Sequence, residues 1–186
     1  MRIIAGTLKR KTILSVPGMT TRPTSDRLRE SIFNILSTQV RMTRVLDLYA
    51  GTGALGLEAL SRGAQRCVFV DNHKDALAVI KKNISACAMD HCSQVLSLDI
   101  SRNLAGIHGK GQAFDLVFMD PPYGMNMISD TLVGLSASGL LENGACLVCE
   151  HALTDPLGAL PELFTLTDQR RYGKTQVSFL FFGPSD

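Results

Sequence analysis

The chain has 186 residues, of which 45% are hydrophobic and 19% are charged, a composition typical of globular proteins. One domain with at most a small appendage is expected, and it buries about 70% of the surface that the unfolded chain exposes. No apolar run approaches the roughly 18 residues of a membrane-spanning helix, and residues 1–6 lack the apolar core of a signal peptide. A cytoplasmic protein without a membrane partner is therefore expected.

The net charge of +2 is unevenly distributed along the chain. Residues 1–44 carry nine Lys and Arg against two acidic residues, giving +7, whereas residues 45–186 carry ten against fifteen, giving −5. We therefore predict two parts, a basic extension over residues 1–44 and a main domain over residues 45–186. A basic extension on an acidic body favours binding of a polyanion, although a solvated basic face without a partner has the same composition.

The extension is predicted to contain a small β-hairpin followed by a helix. The hairpin covers residues 2–15, where short β-capable runs flank a basic loop at residues 9–11. A Ser or Thr before Asp26 is suited to capping the helix, and Asp26 itself suits its positive end. Because Arg27 and Arg29 fall outside the apolar stripe of this helix, we expect both to face solvent or a ligand.

The main domain begins with a buried strand over residues 45–49 and a glycine turn. Residues 51–56 read Gly-Thr-Gly-Ala-Leu-Gly and open a helix over residues 53–62, and Asp71 follows Gly51 by twenty residues. This pattern predicts a site for an adenosine-containing cofactor at the carboxyl end of the first strand. Taken alone it fits a nicotinamide dinucleotide as well as other cofactors of this type.

Strands and helices alternate through the rest of the domain. Strands are predicted over residues 66–70, 93–98, 114–119 and 144–150, helices over residues 74–87 and 125–140, and a short helix with a loop over residues 100–112. Two β runs, 163–171 and 175–182, flank a glycine turn and predict an antiparallel hairpin. The expected fold is α/β, with a mostly parallel sheet, helices on both faces and one antiparallel strand.

Four aspartates are associated with the carboxyl ends of the predicted parallel strands. They are Asp47 within the first strand and Asp71, Asp99 and Asp120 at the tips of the next three. Strand-end aspartate is common in turns, where it accepts backbone hydrogen bonds. Four such residues beside one glycine turn are more typical of a ligand site.

Residues Asp120, Pro121, Pro122 and Tyr123 form a second motif, directly after the fourth strand. The motif suits a site that acts on the exocyclic amine of a purine. Such an amine is a poor nucleophile because its lone pair is delocalised into the ring. Asp120 is suited to accept one N–H of such an amine, and the Pro121 carbonyl, stiffened by the proline pair, to accept the other. Tyr123 offers a face for stacking a base, worth roughly 1–3 kcal/mol. The motif favours methyl transfer to an amino group, whereas a lone Pro-Pro pair is commonly a stiff surface turn.

Five cysteines, an odd number without a framework, argue against a disulfide scaffold. Cys146 and Cys149 form a C-x-x-C on a predicted strand, where this spacing points the two sulfurs to opposite faces. Cys87, His91 and Cys92 lie close together, but no second C-x-x-C completes a zinc set. We therefore expect neither a metal site nor a redox disulfide.

The glycine turn, the strand-end acids and the motif at residues 120–123 resemble the class I S-adenosylmethionine-dependent methyltransferases over residues 45–150. The resemblance implies a Rossmann-like, mostly parallel seven-stranded sheet and S-adenosylmethionine as cofactor. It implies that Asp47 contacts the amino-acid part of the cofactor, Asp71 its ribose hydroxyls and Asp99 its adenine amino group, with Ile100 packing on the ring. The other cofactor-binding candidates are Ala50, Gly51, Thr52, Gly53 and Asn72.

The N-terminal part narrows this resemblance to one family. Four segments look like the RsmD-type ribosomal RNA guanine methyltransferases: residues 2–6, 22–30, 33–36 and 172–175. This implies N2 methylation of one guanine in bacterial small-subunit (16S) ribosomal RNA, within an assembled or assembling particle, by a monomer. The candidate phosphate contacts are Arg2, Lys9, Arg10, Lys11, Arg22, Arg27 and Arg29. Arg22 is equally suited to closing over the carboxylate of the cofactor.

Other functions share parts of this pattern. Adenine-N6 nucleic-acid methyltransferases and protein glutamine-N5 methyltransferases use similar Pro-Pro motifs. A nicotinamide oxidoreductase fits the glycine turn but leaves the motif at residues 120–123 and the basic extension unexplained. A catalytically silent RNA-binding module fits the extension and predicts cofactor binding without transfer.

Overall fold

The computed structural model describes residues 1–17, 25–102, 104–107, 113–122 and 127–184. Within these residues a single sheet contains seven strands, numbered along the chain: β1 (Arg44–Leu48), β2 (Arg66–Asp71), β3 (Ser93–Ser97), β4 (Phe114–Met119), β5 (Leu141–Ala152), β6 (Phe164–Tyr172) and β7 (Thr175–Phe182). The α-helices are α1 (Asp26–Leu36), α2 (Ala54–Ser61), α3 (Lys74–Ala86) and α4 (Met127–Ser138). Short 3-10 segments lie at Ser37–Val40, Asp90–Cys92 and Ala105–Ile107.

The strand order across the sheet is β3-β2-β1-β4-β5-β7-β6. Strands β1 to β5 are parallel, and β7 runs antiparallel to both of its neighbours, β5 and β6. The predicted α/β fold with one antiparallel strand is therefore confirmed, as is its Rossmann-like, seven-stranded form. The order reverses between β1 and β4, and in such sheets ligands bind in the crevice at this reversal.

Both faces of the central strands are buried, as the near-continuous apolar runs of parallel strands require. One face, which includes Val45 and Phe118, packs against α1, α2, α3 and the N-terminal segment. The opposite face, which includes Leu46 and Val117, packs against α4. Each fully buried large apolar side chain contributes roughly 1.5–3 kcal/mol. The alternation also confirms that the sulfurs of the C-x-x-C lie on opposite faces, in different core clusters.

The N-terminal segment forms the predicted hairpin over residues 2–15, although its two arms pair over a short length only. One isolated antiparallel bridge, between Arg2 and Thr12, joins its two arms. Backbone hydrogen bonds of 2.9 and 3.0 Å lie on either side of this bridge. The backbone N–H groups of Ile4 and Ala5 donate to the carboxylate of Glu58 in α2, at 2.7 and 3.0 Å, and fasten the hairpin to the core.

Helix α1 begins as predicted, with the Ser25 hydroxyl accepting the Leu28 N–H at 3.1 Å. The expectation that Arg29 faces solvent is wrong, because its side chain is 0% exposed. The guanidinium donates to the Arg2 carbonyl at 2.6 Å and to the Asp26 carboxylate at 2.9 Å. Arg29 lies on the same buried face of α1 as Phe33 and Leu36, so its position belongs to the buried stripe of the helix.

Among the described residues no helix is long and apolar enough to cross a membrane.

Candidate active site

The glycine turn after β1 lies at the point where the strand order reverses. Its backbone is held by the Ala50 N–H on the Val70 carbonyl at 3.1 Å and the Gly53 N–H on the Ala50 carbonyl at 2.7 Å. Gly51 has a positive φ of 56°, and a Cβ placed there meets nothing closer than 3.9 Å. The turn therefore presents bare backbone to open space, as a cradle for a ligand requires.

Gly56 has a different function from that of the turn glycines. A Cβ at this position would lie 2.3 Å from Cε1 of Phe69 and 2.6 Å from Sγ of Cys67. Only glycine lets α2 pack this closely on β2. The glycine motif thus combines an open backbone turn with a close contact between helix and strand.

Asp71, at the tip of β2, holds the glycine turn in place. Its Oδ2 accepts the Gly51 N–H and its Oδ1 accepts the His73 N–H, both at 2.8 Å. The residue is 8% exposed, and each carboxylate oxygen retains a lone pair for a further donor. Asn72, beside it, is exposed.

Asp47 lies deeper in the same site, at 2% exposure, and its Oδ2 accepts the Gly56 N–H at 2.9 Å. Burial, joined by the charges of Asp120 and Asp71, raises the pKa of its carboxyl to about 8, although the hydrogen bond from Gly56 acts in the opposite direction. The acid is consequently protonated in large part near neutral pH. The pairing of Leu48 with Met119 places Asp120, beyond the end of β4, beside the start of the turn after β1.

Asp99 and Ile100 follow β3 at the same edge of the sheet. The Asp99 side chain is 38% exposed, accepts the Ser101 hydroxyl at 2.6 Å and forms an ion pair with Arg102 at 3.2 Å. Its charge raises the pKa of Tyr49, secondarily to burial, so it lies near the first residue of the glycine turn. Ile100 is buried and packs in the core cluster on the α4 side of the sheet.

Pro121 is buried and Pro122 is exposed, at the end of β4. The two prolines border a cavity of about 10 Å³, room for roughly one water molecule, which Ile128 and His151 also line. This cavity is too small for a nucleobase. Tyr123, the last residue of the predicted motif, lies outside the described residues.

The basic candidates lie in two separate places. Arg2, whose side chain is 67% exposed, pairs with Asp26 at 3.3 Å at the start of α1, and Arg27 is exposed in the same turn of helix. The exposed Lys9, Arg10 and Lys11 follow a turn whose Thr7 N–H donates to the Ser61 carbonyl, at the end of α2 farther from the glycine turn. Arg29 is buried, as described above, and Arg22 lies outside the described residues.

Two exposed cations at the turn between β6 and β7 are not among the phosphate contacts predicted from the sequence. Arg171 and Lys174 flank this turn, which the pairing of Thr175 with Ala152 places beyond the carboxyl end of β5. The Tyr172 hydroxyl bonds the Ser31 hydroxyl and so ties the turn to α1. These cations therefore lie at the same edge as Asp120. The basic residues around the Tyr-Gly-Lys turn were the available sequence signal.

A larger depression, of about 460 Å³, lies at the opposite edge of the sheet, between Met42 and Gln65. The guanidinium of Arg44, at the start of β1, forms ion pairs there with Asp115 at 2.8 Å and with Glu142 at 3.0 Å. Hydrogen bonding from Arg44 holds the pKa of the Asp115 carboxyl below its usual range. These pairs join three adjacent strands, β1, β4 and β5, so we assign this edge a structural function.

A glycine turn at the strand reversal, acids at neighbouring strand tips and a proline pair after β4 together define a Rossmann-like methyltransferase.

The chain belongs to the family described as Conserved hypothetical protein 95, whose model matches residues 1–181, and this is the RsmD family that the resemblance predicted. Over 176 residues it is 31% identical to the ribosomal RNA small subunit methyltransferase D of Haemophilus influenzae, covering 93% of this chain and 89% of the relative. It is 36% identical over 181 residues to the protein YlbH of Bacillus subtilis, covering 96% and 97%.

Solved structures agree with this assignment over the whole chain. The structure of yhhF from Escherichia coli superposes with a TM-score of 0.85 at 28% identity, covering 100% of this chain and 99% of the other. That of HI0767 from Haemophilus influenzae superposes with a TM-score of 0.82 at 28% identity, covering 98% of each chain.

Proposed function

We propose that this protein transfers a methyl group from S-adenosylmethionine to the N2 amine of a guanine in small-subunit ribosomal RNA. The observation that carries the proposal is the juxtaposition of Asp120 with the glycine turn and Asp71, where the strand order reverses. The names of the relatives support the RNA substrate. The amine acceptor is supported by the proline pair that follows Asp120.

The described residues fit this cofactor. Gly51 leaves open space beside the turn, and Asp71 keeps lone pairs that suit ribose hydroxyls. Asp99 has an accessible carboxylate for an exocyclic amine, and Thr52 and Gly53 continue the bare turn. When bound, S-adenosylmethionine supplies an electrophilic methyl carbon. Because Asp47 is almost fully buried, we assign it to shaping the first turn of α2 around the amino-acid part of the cofactor.

At the acceptor, the task of the protein is to make an amine lone pair available. We propose that Asp120 accepts one N–H of the guanine amine and the Pro121 carbonyl accepts the other, which draws the nitrogen toward tetrahedral geometry. Pro122 restricts the backbone that carries this carbonyl. Tyr123 is proposed, from the resemblance alone, to stack on the extruded base. A neutral amine is too weak an acid to lose a proton first, so the proton leaves after transfer, to Asp120 or water.

RNA binding is proposed to use the exposed cations at two faces of the protein. Arg2 and Arg27 at the start of α1, with Arg171 and Lys174 on the β6–β7 turn, lie near the active-site edge. Lys9, Arg10 and Lys11 extend the surface along residues 1–44, the extension that we propose as the RNA-binding part. Arg22 stays a candidate for either RNA or cofactor, and Arg29 is excluded by its burial. Each phosphate contact contributes to a salt-dependent affinity.

The test is methyl transfer from radiolabelled S-adenosylmethionine to unmethylated small ribosomal subunits, duplex DNA or a release-factor protein. We expect label in the ribosomal RNA, recovered as N2-methylguanosine after digestion to nucleosides. Label in adenosine, in DNA or in a glutamine side chain would replace the proposal with one of the rival chemistries. Cofactor binding without label in any acceptor would indicate a silent RNA-binding module.

A further inference from the structure

The fully buried amide of Asn83 connects the N-terminal segment to the glycine turn. Its Oδ1 accepts the Leu14 N–H at 2.7 Å, and its Nδ2 donates to the Leu14 carbonyl at 3.1 Å. The same Nδ2 donates to the Thr52 carbonyl at 2.9 Å. Both amide protons and the amide oxygen are thus engaged, and the bonds reach two segments that are 31 and 69 residues away in sequence.

Asn83 has no other evident reason to be polar. It lies on the buried stripe of α3, between Ile80 and Ile84, where an apolar residue would pack on the sheet. An unsatisfied buried amide is destabilising, so a polar residue is retained here only where its partners are fixed. The neighbouring contact of Val16 with Ala76 and Val79 keeps the N-terminal segment seated on the same helix.

We infer that Asn83 is a positioning residue. Because it bonds both Leu14 and Thr52, it fixes the position of the Thr52 carbonyl, and hence of the glycine turn, relative to the docked N-terminal segment. The inference rests on the proposed function, since it assigns the turn to S-adenosylmethionine. It makes the N-terminal segment part of the cofactor site as well as an RNA-binding element. Without the Asn83 bonds, the glycine turn adopts other conformations as well. Only a fraction of the protein then has the conformation that binds the cofactor, and the affinity for the cofactor falls by that fraction.

Ser61 provides a matched control, because it also fastens the N-terminal segment by two side-chain hydrogen bonds. Its hydroxyl accepts the Leu8 N–H at 2.9 Å and donates to the Ala5 carbonyl at 2.6 Å. Among the described residues, none of the side-chain hydrogen bonds of Ser61 reaches the glycine turn. Asn83→Asp keeps the shape and the acceptor for Leu14, but a carboxyl carries at most one proton and so cannot donate to both the Leu14 and the Thr52 carbonyls. Asn83→Ser is a smaller second variant in case the first does not fold.

The experiment measures the dissociation constant of S-adenosylmethionine by calorimetry, well below the melting temperature of each variant. We expect about tenfold weaker binding for Asn83→Asp and for Asn83→Ser, and unchanged binding for Ser61→Ala despite its lower melting temperature. In transfer assays the KM for the cofactor rises with Asn83 variants, while kcat and the KM for RNA stay near wild type. Equal binding by wild type and both Asn83 variants, or equal weakening by Ser61→Ala, would overturn the inference. Absence of binding by the wild type would instead refute the proposed function.

Discussion

Replacement of Asp47 by Asn should change how the stability of the protein depends on pH. The buried carboxyl of Asp47 accepts the Gly56 N–H and has a pKa of about 8, raised by burial from 3.8. Asparagine has nearly the same shape, keeps an acceptor for the Gly56 N–H and cannot ionise. Comparison of the two proteins therefore isolates the ionisation of one group.

The direction of the pH effect follows from the number of protons that the folded and the unfolded protein bind. Between pH 3.8 and about pH 8 the folded protein keeps the Asp47 proton that the unfolded chain releases. Raising the pH therefore favours the unfolded state, and the contribution of this group is fully present below the unfolded pKa and lost as the pH rises through the folded one. A full proton corresponds to about 1.4 kcal/mol per pH unit, so on the order of 1 kcal/mol per unit is expected between pH 5 and pH 8.

The assay is urea unfolding of the wild type and of Asp47→Asn at several pH values between 5 and 8. Other titrating groups, such as Asp115, contribute equally to both proteins and cancel in the difference. We expect the free energy of unfolding of the variant to rise relative to wild type at each step toward pH 8. A difference that stays constant over this range would mean that Asp47 is already ionised at pH 5, and the argument from its burial would then be refuted.

Three further substitutions test the packing that supports the site. Glu58→Ala removes a fully buried carboxylate that accepts backbone N–H groups and pairs with Arg62. It should lower the free energy of unfolding in urea by about 3–5 kcal/mol and expose the N-terminal segment to protease. An unchanged digestion pattern would contradict the docking of this segment. Gly56→Ala forces a Cβ against Phe69 and should cost about 1–3 kcal/mol, visible as a lower melting temperature; a neutral effect would refute the close packing. Tyr172→Phe removes the hydroxyl contact with α1 and should cost about 1 kcal/mol, whereas full stability would show that the contact is not formed.

The sequence predicts the central sheet well because its determinants are local. Each parallel strand is marked by an apolar run and by local residues at its end, such as Gly51 after β1 and Asp71 at the tip of β2, without knowledge of its neighbours. The predicted antiparallel hairpin at the end of the chain is also present, as β6 and β7. The ends of the strands were predicted less accurately, since β5 begins at Leu141, three residues before its predicted start.

What the sequence does not predict depends on distant partners. Arg29 shares the buried face of α1 with Phe33, and its charged group is accepted there because the Arg2 carbonyl, 27 residues away, binds it. Residues 2–15 form the predicted hairpin, but its attachment to the core depends on Glu58, more than fifty residues away, which accepts two of its N–H groups. Asn83, a polar residue between Ile80 and Ile84, is the kind of sequence feature that accompanies such contacts, but the sequence does not identify its partners.

The most direct test of the proposed chemistry is single-turnover methyl transfer by Asp120→Ala, with cofactor affinity measured on the same protein. We predict that transfer to ribosomal RNA falls by about 10²–10³-fold, because one of two acceptors that orient the amine is lost, while the dissociation constant of S-adenosylmethionine stays near the wild-type value. Transfer at close to the wild-type rate would contradict the account, since Asp120 would then have no part in activating the amine.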